Sequence, residues 1–415
     1  MKSKLTRPEL SWILYDVANS AFTMLVATTI PILFRSLAEA NGVDSAHASG
    51  MWGLVTSAAV LILAVMSPIL GALADYENMK KRLFVLFLTI GVCGLLGLCV
   101  TQDWMAYMLL FVVARVGYSA CNVFYDSMLT DITTDERMDR ISSYGYAWGY
   151  IGSCVPFIIG ILLIFVKPFG LDTLTATQLS FLITAVWWVG MTIPLLKNVK
   201  QVHYLENRQD KVSHAFRRIG ITLKKISKDK KLLSFIIAYF CYIDGVYTII
   251  SMATTYGGEV GIGQTDMILA LLLTQFVAFP CAILSGVLAE KIGSLKLIRF
   301  FIAVYACVCV FAFQMSHAWE FWVMAVVVGM AQGGIQSLSR AYFGKLIPKE
   351  ESNEYFGFFD IFGKFADFFG PLIVSFCAFA LGSSRYGVLA LILLFIIGFV
   401  LLSKISVNDS QEEQA

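Results

Sequence analysis

Gly71-Ala72-Leu73-Ala74-Asp75-Tyr76-Glu77-Asn78-Met79-Lys80-Lys81-Arg82 is a short polar hinge between two long apolar runs, 50–74 and 83–101. Its glycine permits two helices to approach closely. Its acid, at a helix end beside three consecutive cations, reads as a charge latch. The pattern returns 215 residues later as Gly286-Val287-Leu288-Ala289-Glu290, followed by Lys291 and Lys296. Two further echoes accompany it. Tyr144-Gly145-Tyr146 reappears as Phe356-Gly357-Phe358 at an offset of 212, and Tyr15-Asp16 as Tyr242-Ile243-Asp244 at 228. The last offset is larger because the first outer loop is longer than its counterpart. Matching segments at near-constant spacing indicate a duplicated chain, and a parallel duplication of six helices is a transporter layout.

The rest of the 415 residues fit that frame. The chain is 58% hydrophobic and 14% charged, where a soluble domain carries about 25% charged residues. A bilayer is crossed by about 20 apolar residues. Twelve such runs are expected, at 10–36, 50–74, 83–101, 104–130, 141–166, 175–196, 232–257, 265–289, 296–315, 318–343, 354–380 and 385–404. The fold class is therefore all-α and integral to the membrane, in two pseudo-symmetric six-helix bundles. The expected organisation is an N-terminal bundle (1–196), a linker (197–231), a C-terminal bundle (232–404) and a disordered tail (405–415). The basic start of the chain leads into a run long enough to span and containing Asp16 and Asn19. It reads as the first membrane helix rather than a cleaved leader.

Charge sets the orientation. With the N-terminus in the cytoplasm, 25 of the 31 Lys and Arg lie on the cytoplasmic side and three outside. The positive-inside rule then puts both termini in the cytoplasm, and the short loops and compact chain point to a plasma (inner) membrane. The linker alone holds eleven of these cations. Within it Val212, Phe216, Ile219, Leu223 and Ile226 recur at helical spacing, flanked by Arg217, Arg218, Lys224 and Lys225. This reads as an amphipathic helix on the anionic inner leaflet, with a plain solvated linker as the alternative.

The hinge at Gly71–Arg82 resembles the loop signature between the second and third helices of the major facilitator superfamily. Asn78-Met79 departs from the Gly-Arg that often stands there. Arg115-Val-Gly117-Tyr-Ser resembles the superfamily's arginine-containing fourth-helix motif. Trp12-Ile-Leu-Tyr15-Asp16-Val-Ala-Asn19-Ser20-Ala-Phe22 resembles the opening of its vacuolar-effluxer-like branch. So do Ala238–Thr248, Gln332–Arg340 and Glu354–Pro371, which spread the likeness over the whole chain. The resemblance implies efflux of amino acids. It also implies that the first, fourth, seventh and tenth helices line a central cavity.

Charges inside the runs are the candidate solute and ion-coupling residues. Burying one at mid-bilayer costs about 2.5–3.5 kcal/mol on insertion scales, so each should face water or a partner. The first run offers Asp16 and, one turn on, Asn19. The fourth offers Arg115, Tyr118, Asn122 and Asp126. Asp244, preceded by Tyr242, lies about 18 Å into the seventh run at 1.5 Å per residue. There Gly245 would allow close approach of a ligand. Gln332 and Gln336 share a face of the tenth. Asp360 and Lys364, four apart on the eleventh, form either a neutralised pair or a switch. Each buried charge also has a plain structural reading, as an ion pair or helix cap. Gly71, Asp75, Arg82, Asp131, Glu290 and Arg340 are the candidate gating residues.

Other classes are disfavoured. The nine cysteines sit in apolar runs with no CxxC spacing, so no metal site is expected. No Walker loop, HExxH or GxSxG is present, so neither an enzyme nor direct ATP drive is expected, and no cofactor. A net charge of +2 does not suggest nucleic acid. The expected partners are a small-molecule substrate, the lipid bilayer, and protons or sodium, for a monomer. Three functions remain: an amino-acid exporter, a sugar or amphipathic-drug carrier of the same fold, and a non-transporting receptor or scaffold.

Overall fold

The computed structural model describes residues 4–207 and 210–412. Among them, twelve helices are long and apolar enough to cross a membrane. We number them spans 1 to 12: Arg7–Ala40, Gly50–Ala74, Met79–Leu98, Trp104–Ile132, Asp135–Val166, Thr173–Asn198, Lys230–Glu259, Thr265–Ile292, Ser294–Gln314, Ala318–Leu346, Lys349–Leu381 and Ser384–Ile405. They coincide with the twelve expected runs, and several extend beyond them into polar sequence. The linker adds the helix Lys211–Lys228. The residues expected as a disordered tail are helical as far as Glu412; 413–415 lie outside the described residues.

Local chemistry places the ends. Thr6 and Glu9 form a capping box at the start of span 1, each side chain accepting the other's backbone N–H. Span 1 breaks at Thr28, where φ is −132° and ψ −83°. Pro31, three residues on, has no N–H, and its ring displaces the Ala27 carbonyl, so the helix restarts. Asp172 caps span 6 and Asp229 caps span 7 through backbone N–H groups. The Thr175 hydroxyl and N–H donate to Asp172 and hold its carboxyl below the usual range.

The chain divides into two compact units. Unit 1 contains the residues through Ile132, then Trp148–Phe216 and Lys349–Gly357. Unit 2 contains Thr133–Ala147, Arg217–Pro348 and the residues from Phe358 onward. These units cut across the halves expected from chain order. The first turns of span 5 belong to unit 2, and the first turns of span 11 belong to unit 1.

The duplication is visible in the packing. Spans 1 and 6, 2 and 4, and 3 and 4 pack together in unit 1. Their counterparts 7 and 12, 8 and 10, and 9 and 10 do so in unit 2. In unit 1 Trp12 stacks on Tyr125 with ring centres 4.4 Å apart and donates its indole N–H to the Tyr125 carbonyl at 2.8 Å. Tyr15, Phe22 and Trp188 complete that core. In unit 2 Phe359 stacks on Tyr239 at 4.0 Å and on Phe343 at 4.3 Å. Large apolar side chains such as Leu54, Leu61, Phe165 and Leu393 stay exposed. Lipid would cover them, since a membrane span has no need of a polar outer face.

Candidate functional site

Unit 1 gathers most of its predicted polar residues on spans 1 and 4. Asn19 donates its amide N–H to Asn122 at 3.1 Å. The Tyr118 hydroxyl meets Thr23 at 2.7 Å, and the Arg115 guanidinium lies over the Tyr118 ring, 5.8 Å from its centre. Phe22 and Trp188 flank the same ring. Asp16 is buried on span 1, and Asp126 is half-buried on span 4. Residues at i, i+3 and i+7 fall on one face, so Asp16, Asn19 and Thr23 on one helix and Arg115, Tyr118 and Asn122 on the other make a polar wall. Thr23 was not singled out from the sequence; its spacing from Asp16 was the available signal.

Unit 2 holds the remaining solute candidates in tighter packing. Asp244 is 1% exposed, and its Oδ1 accepts the Gly370 backbone N–H at 2.7 Å. That bond ties span 7 to span 11 just before Pro371. Tyr242 is fully buried and hydrogen-bonds Ser339 at 2.6 Å. Gly245, expected to admit a ligand, instead admits span 12: a Cβ there would lie 2.5 Å from the Phe395 ring. Gln332 and Gln336 are buried on span 10. Lys364 and Asp360 form an ion pair within span 11.

The gating candidates occupy the linker-side ends. In unit 1 the backbone of 353–354 runs directly against Gly71, where a Cβ would come within 2.2 Å of the Asn353 carbonyl oxygen. Asp75, fully buried, accepts both the Asn353 backbone N–H at 2.9 Å and its side-chain N–H at 3.0 Å. Ser127 donates to the Asn353 side-chain oxygen. Asn78 adopts φ +60°, the left-handed conformation that glycine takes most easily and asparagine next. The departure from the superfamily's glycine is thereby accommodated.

Of the three consecutive cations, the one buried in this loop is Lys80. Lys80 is 1% exposed and reaches Asp131 at 2.5 Å, whereas Arg82 is exposed. Asp131 also accepts the backbone N–H groups of Val202 and His203 at 3.0 and 2.9 Å. The segment after span 6 is thus strapped onto the latch. Leu205 continues the strap by pairing with Tyr76, donating to the Asp75 carbonyl at 2.8 Å and accepting from Glu77 at 3.1 Å. Nothing in the periodicity of 199–207 signals this.

Unit 2 carries the duplicated latch with different chemistry. A Cβ at Gly286 would lie 2.7 Å from Ser143 Cβ, at the start of span 5. Glu290 is half-exposed and sits 3.4 Å from Arg140. Arg340 is 3% exposed and donates to the Ser142 hydroxyl at 2.9 Å and the Ser142 carbonyl at 3.1 Å. Its guanidinium covers the Tyr146 ring at 4.3 Å. Asp139 takes Lys345 at 2.5 Å and the Ser294 hydroxyl at 2.9 Å.

Twelve membrane spans in two repeated sets have the layout of a transporter of the major facilitator type. Solved structures similar to it carry that fold. The human organic anion transporter MFSD10 (TETRAN) superposes with a TM-score of 0.74 at 14% identity, covering 95% of this chain and 99% of that one. A bacterial homologue of the iron transporter ferroportin gives 0.72 at 14% identity, covering 96% and 98%. The chain belongs to the Atg22-like vacuole effluxer family, whose model matches residues 6–415. It is 42% identical over 418 residues to the uncharacterized MFS-type transporter YxiO of Bacillus subtilis, covering 99% of this chain and 98% of that protein. It is 22% identical to autophagy-related protein 22 of Kluyveromyces lactis, covering 97% and 94%.

Proposed function

We propose that this MFS-type transporter moves a small polar solute, amino acids foremost, by alternating access, and that it exports them in exchange for protons. The polar wall of spans 1 and 4 carries the proposal. Two amides, a phenol and a guanidinium stand together inside helices that are otherwise apolar. Such a set suits both ends of a zwitterion. A guanidinium pairs with a carboxylate, and amide oxygens or Asp16 would accept from an ammonium. Intramembrane carboxylates are also the groups through which a proton gradient could act. The distribution of loop charges supports cytoplasmic placement of both termini.

A second reading is favoured by one observation. Arg115 lies over the Tyr118 ring, which Phe22 and Trp188 flank in turn, and a cation on an aromatic cluster would also take an amphipathic organic anion. Proteoliposome flux with a panel of amino acids, with and without a pH gradient, separates the two. Gradient-dependent amino-acid flux is expected. Flux of organic anions or sugars with none for any amino acid would overturn the proposal.

Asp244→Asn sharpens the coupling. The amide oxygen keeps the Gly370 bond while the titratable group is lost. If Asp244 carries the proton, accumulation against a gradient disappears and solute exchange survives. Unchanged accumulation would move that role to Asp16 or Asp126.

A further inference from the structure

The linker helix Lys211–Lys228 presents an apolar stripe that the transporter itself leaves uncovered. Val212, Phe216 and Leu223 are 59%, 54% and 54% exposed. At 100° per residue they fall within about 40° of one another. A second flank is buried, through Ala215, Thr222 and Ile226. Arg217 and Lys224, both exposed, stand about 100° round from the stripe, and Lys225 and Lys228 lie further round. An exposed apolar stripe with cations along its open side is the arrangement of a helix lying in a membrane interface. There the apolar side chains enter the acyl boundary and the long basic ones reach up to phosphates.

The sequence is attached to the rest of the protein in a way that gives such docking a consequence. His214 on this helix hydrogen-bonds the Tyr76 hydroxyl at 2.6 Å, one residue beyond Asp75. The strap at 201–205 holds the same loop and Asp131.

We infer that Lys211–Lys228 is a docking surface for the anionic lipid headgroups of the bilayer in which the transporter sits. Phe216 and Leu223 insert, and Arg217 and Lys224 pair with lipid phosphates. Zwitterionic lipid offers the same apolar boundary without the net negative surface, so the contact depends on anionic lipid. Ile221, exposed on the opposite face, takes no part.

The full-length transporter in nanodiscs of phosphatidylcholine alone, or with 30% phosphatidylglycerol, tests this. Tryptic cleavage after Lys224 and Lys225 is followed with time, both faces of the disc being open to the protease. Phosphatidylglycerol should slow cleavage about tenfold or more. The double variant F216S/L223S should lose that protection, and I221S should keep it. Because F216S/L223S alters only exposed side chains, its fold can be verified by an unchanged melting temperature. Equal cleavage in the two lipids would overturn the inference. So would equal protection of wild type and F216S/L223S, which would show attraction by charge alone. Protection by pure phosphatidylcholine to the same extent would remove the requirement for anionic lipid and reject it too.

Discussion

The hinges after spans 2 and 8 began as copies and now hold their neighbours by different means. At Gly71–Asp75 the carboxylate is fully buried and accepts two N–H groups from Asn353. At Gly286–Glu290 the carboxylate is 30% exposed and meets Arg140 at 3.4 Å. The glycines do the same work in both, bringing a helix start to within van der Waals contact of the hinge. The acids do not. In unit 2 the buried polar clamp is instead Arg340 on Ser142 and Tyr146. A hydrogen bond to a buried charge is worth far more than an exposed ion pair. The duplication has therefore kept the geometry and moved the energy to another side chain.

Three substitutions can break or sharpen that contrast. Asp75→Ala has the largest expected effect. It strands two buried donors of Asn353 and should cost about 3 kcal/mol, read as a lowered melting temperature in detergent. Arg340→Lys comes next. A lysine keeps the charge but loses the fork that reaches both Ser142 oxygens and the flat contact with Tyr146, for about 2 kcal/mol. Glu290→Gln is the smallest, under about 1 kcal/mol, because water replaces what a half-exposed pair loses. A loss at Glu290 equal to that at Asp75 would mean the two hinges still act alike.

Much of this was legible in the sequence because membranes impose simple rules. Twelve apolar runs, one-sided loop charges and near-constant offsets between echoes suffice for the spans and their duplication. Gly71 and Asp75 stand out through the duplicated hinge, Asp131 as a charge at a helix end, and Arg340 as a charge inside a run, where the lipid phase tolerates few. Their partners do not. Asn353 lies 278 residues from Asp75 and is an ordinary polar residue at a helix start. Three consecutive cations, Lys80 to Arg82, cannot be ranked by residue type; the helix that starts at Met79 buries Lys80 and leaves Arg82 exposed. The strap at 201–205 has neither periodicity nor apolar content. Asp244 is marked by its depth, its echo of Asp16 and the neighbouring Gly245, and none of these distinguishes a carboxylate facing solute from one that holds the Gly370 N–H between two packed spans.

The most direct test of the unequal hinges is transport by Asp75→Ala and Glu290→Gln in matched proteoliposomes, scored as initial uptake rate per reconstituted molecule. Losing a buried charge-assisted contact should lower the rate about tenfold or more in Asp75→Ala, while Glu290→Gln stays within about twofold of wild type. Equal losses in the two, or a greater loss in Glu290→Gln, would contradict the account.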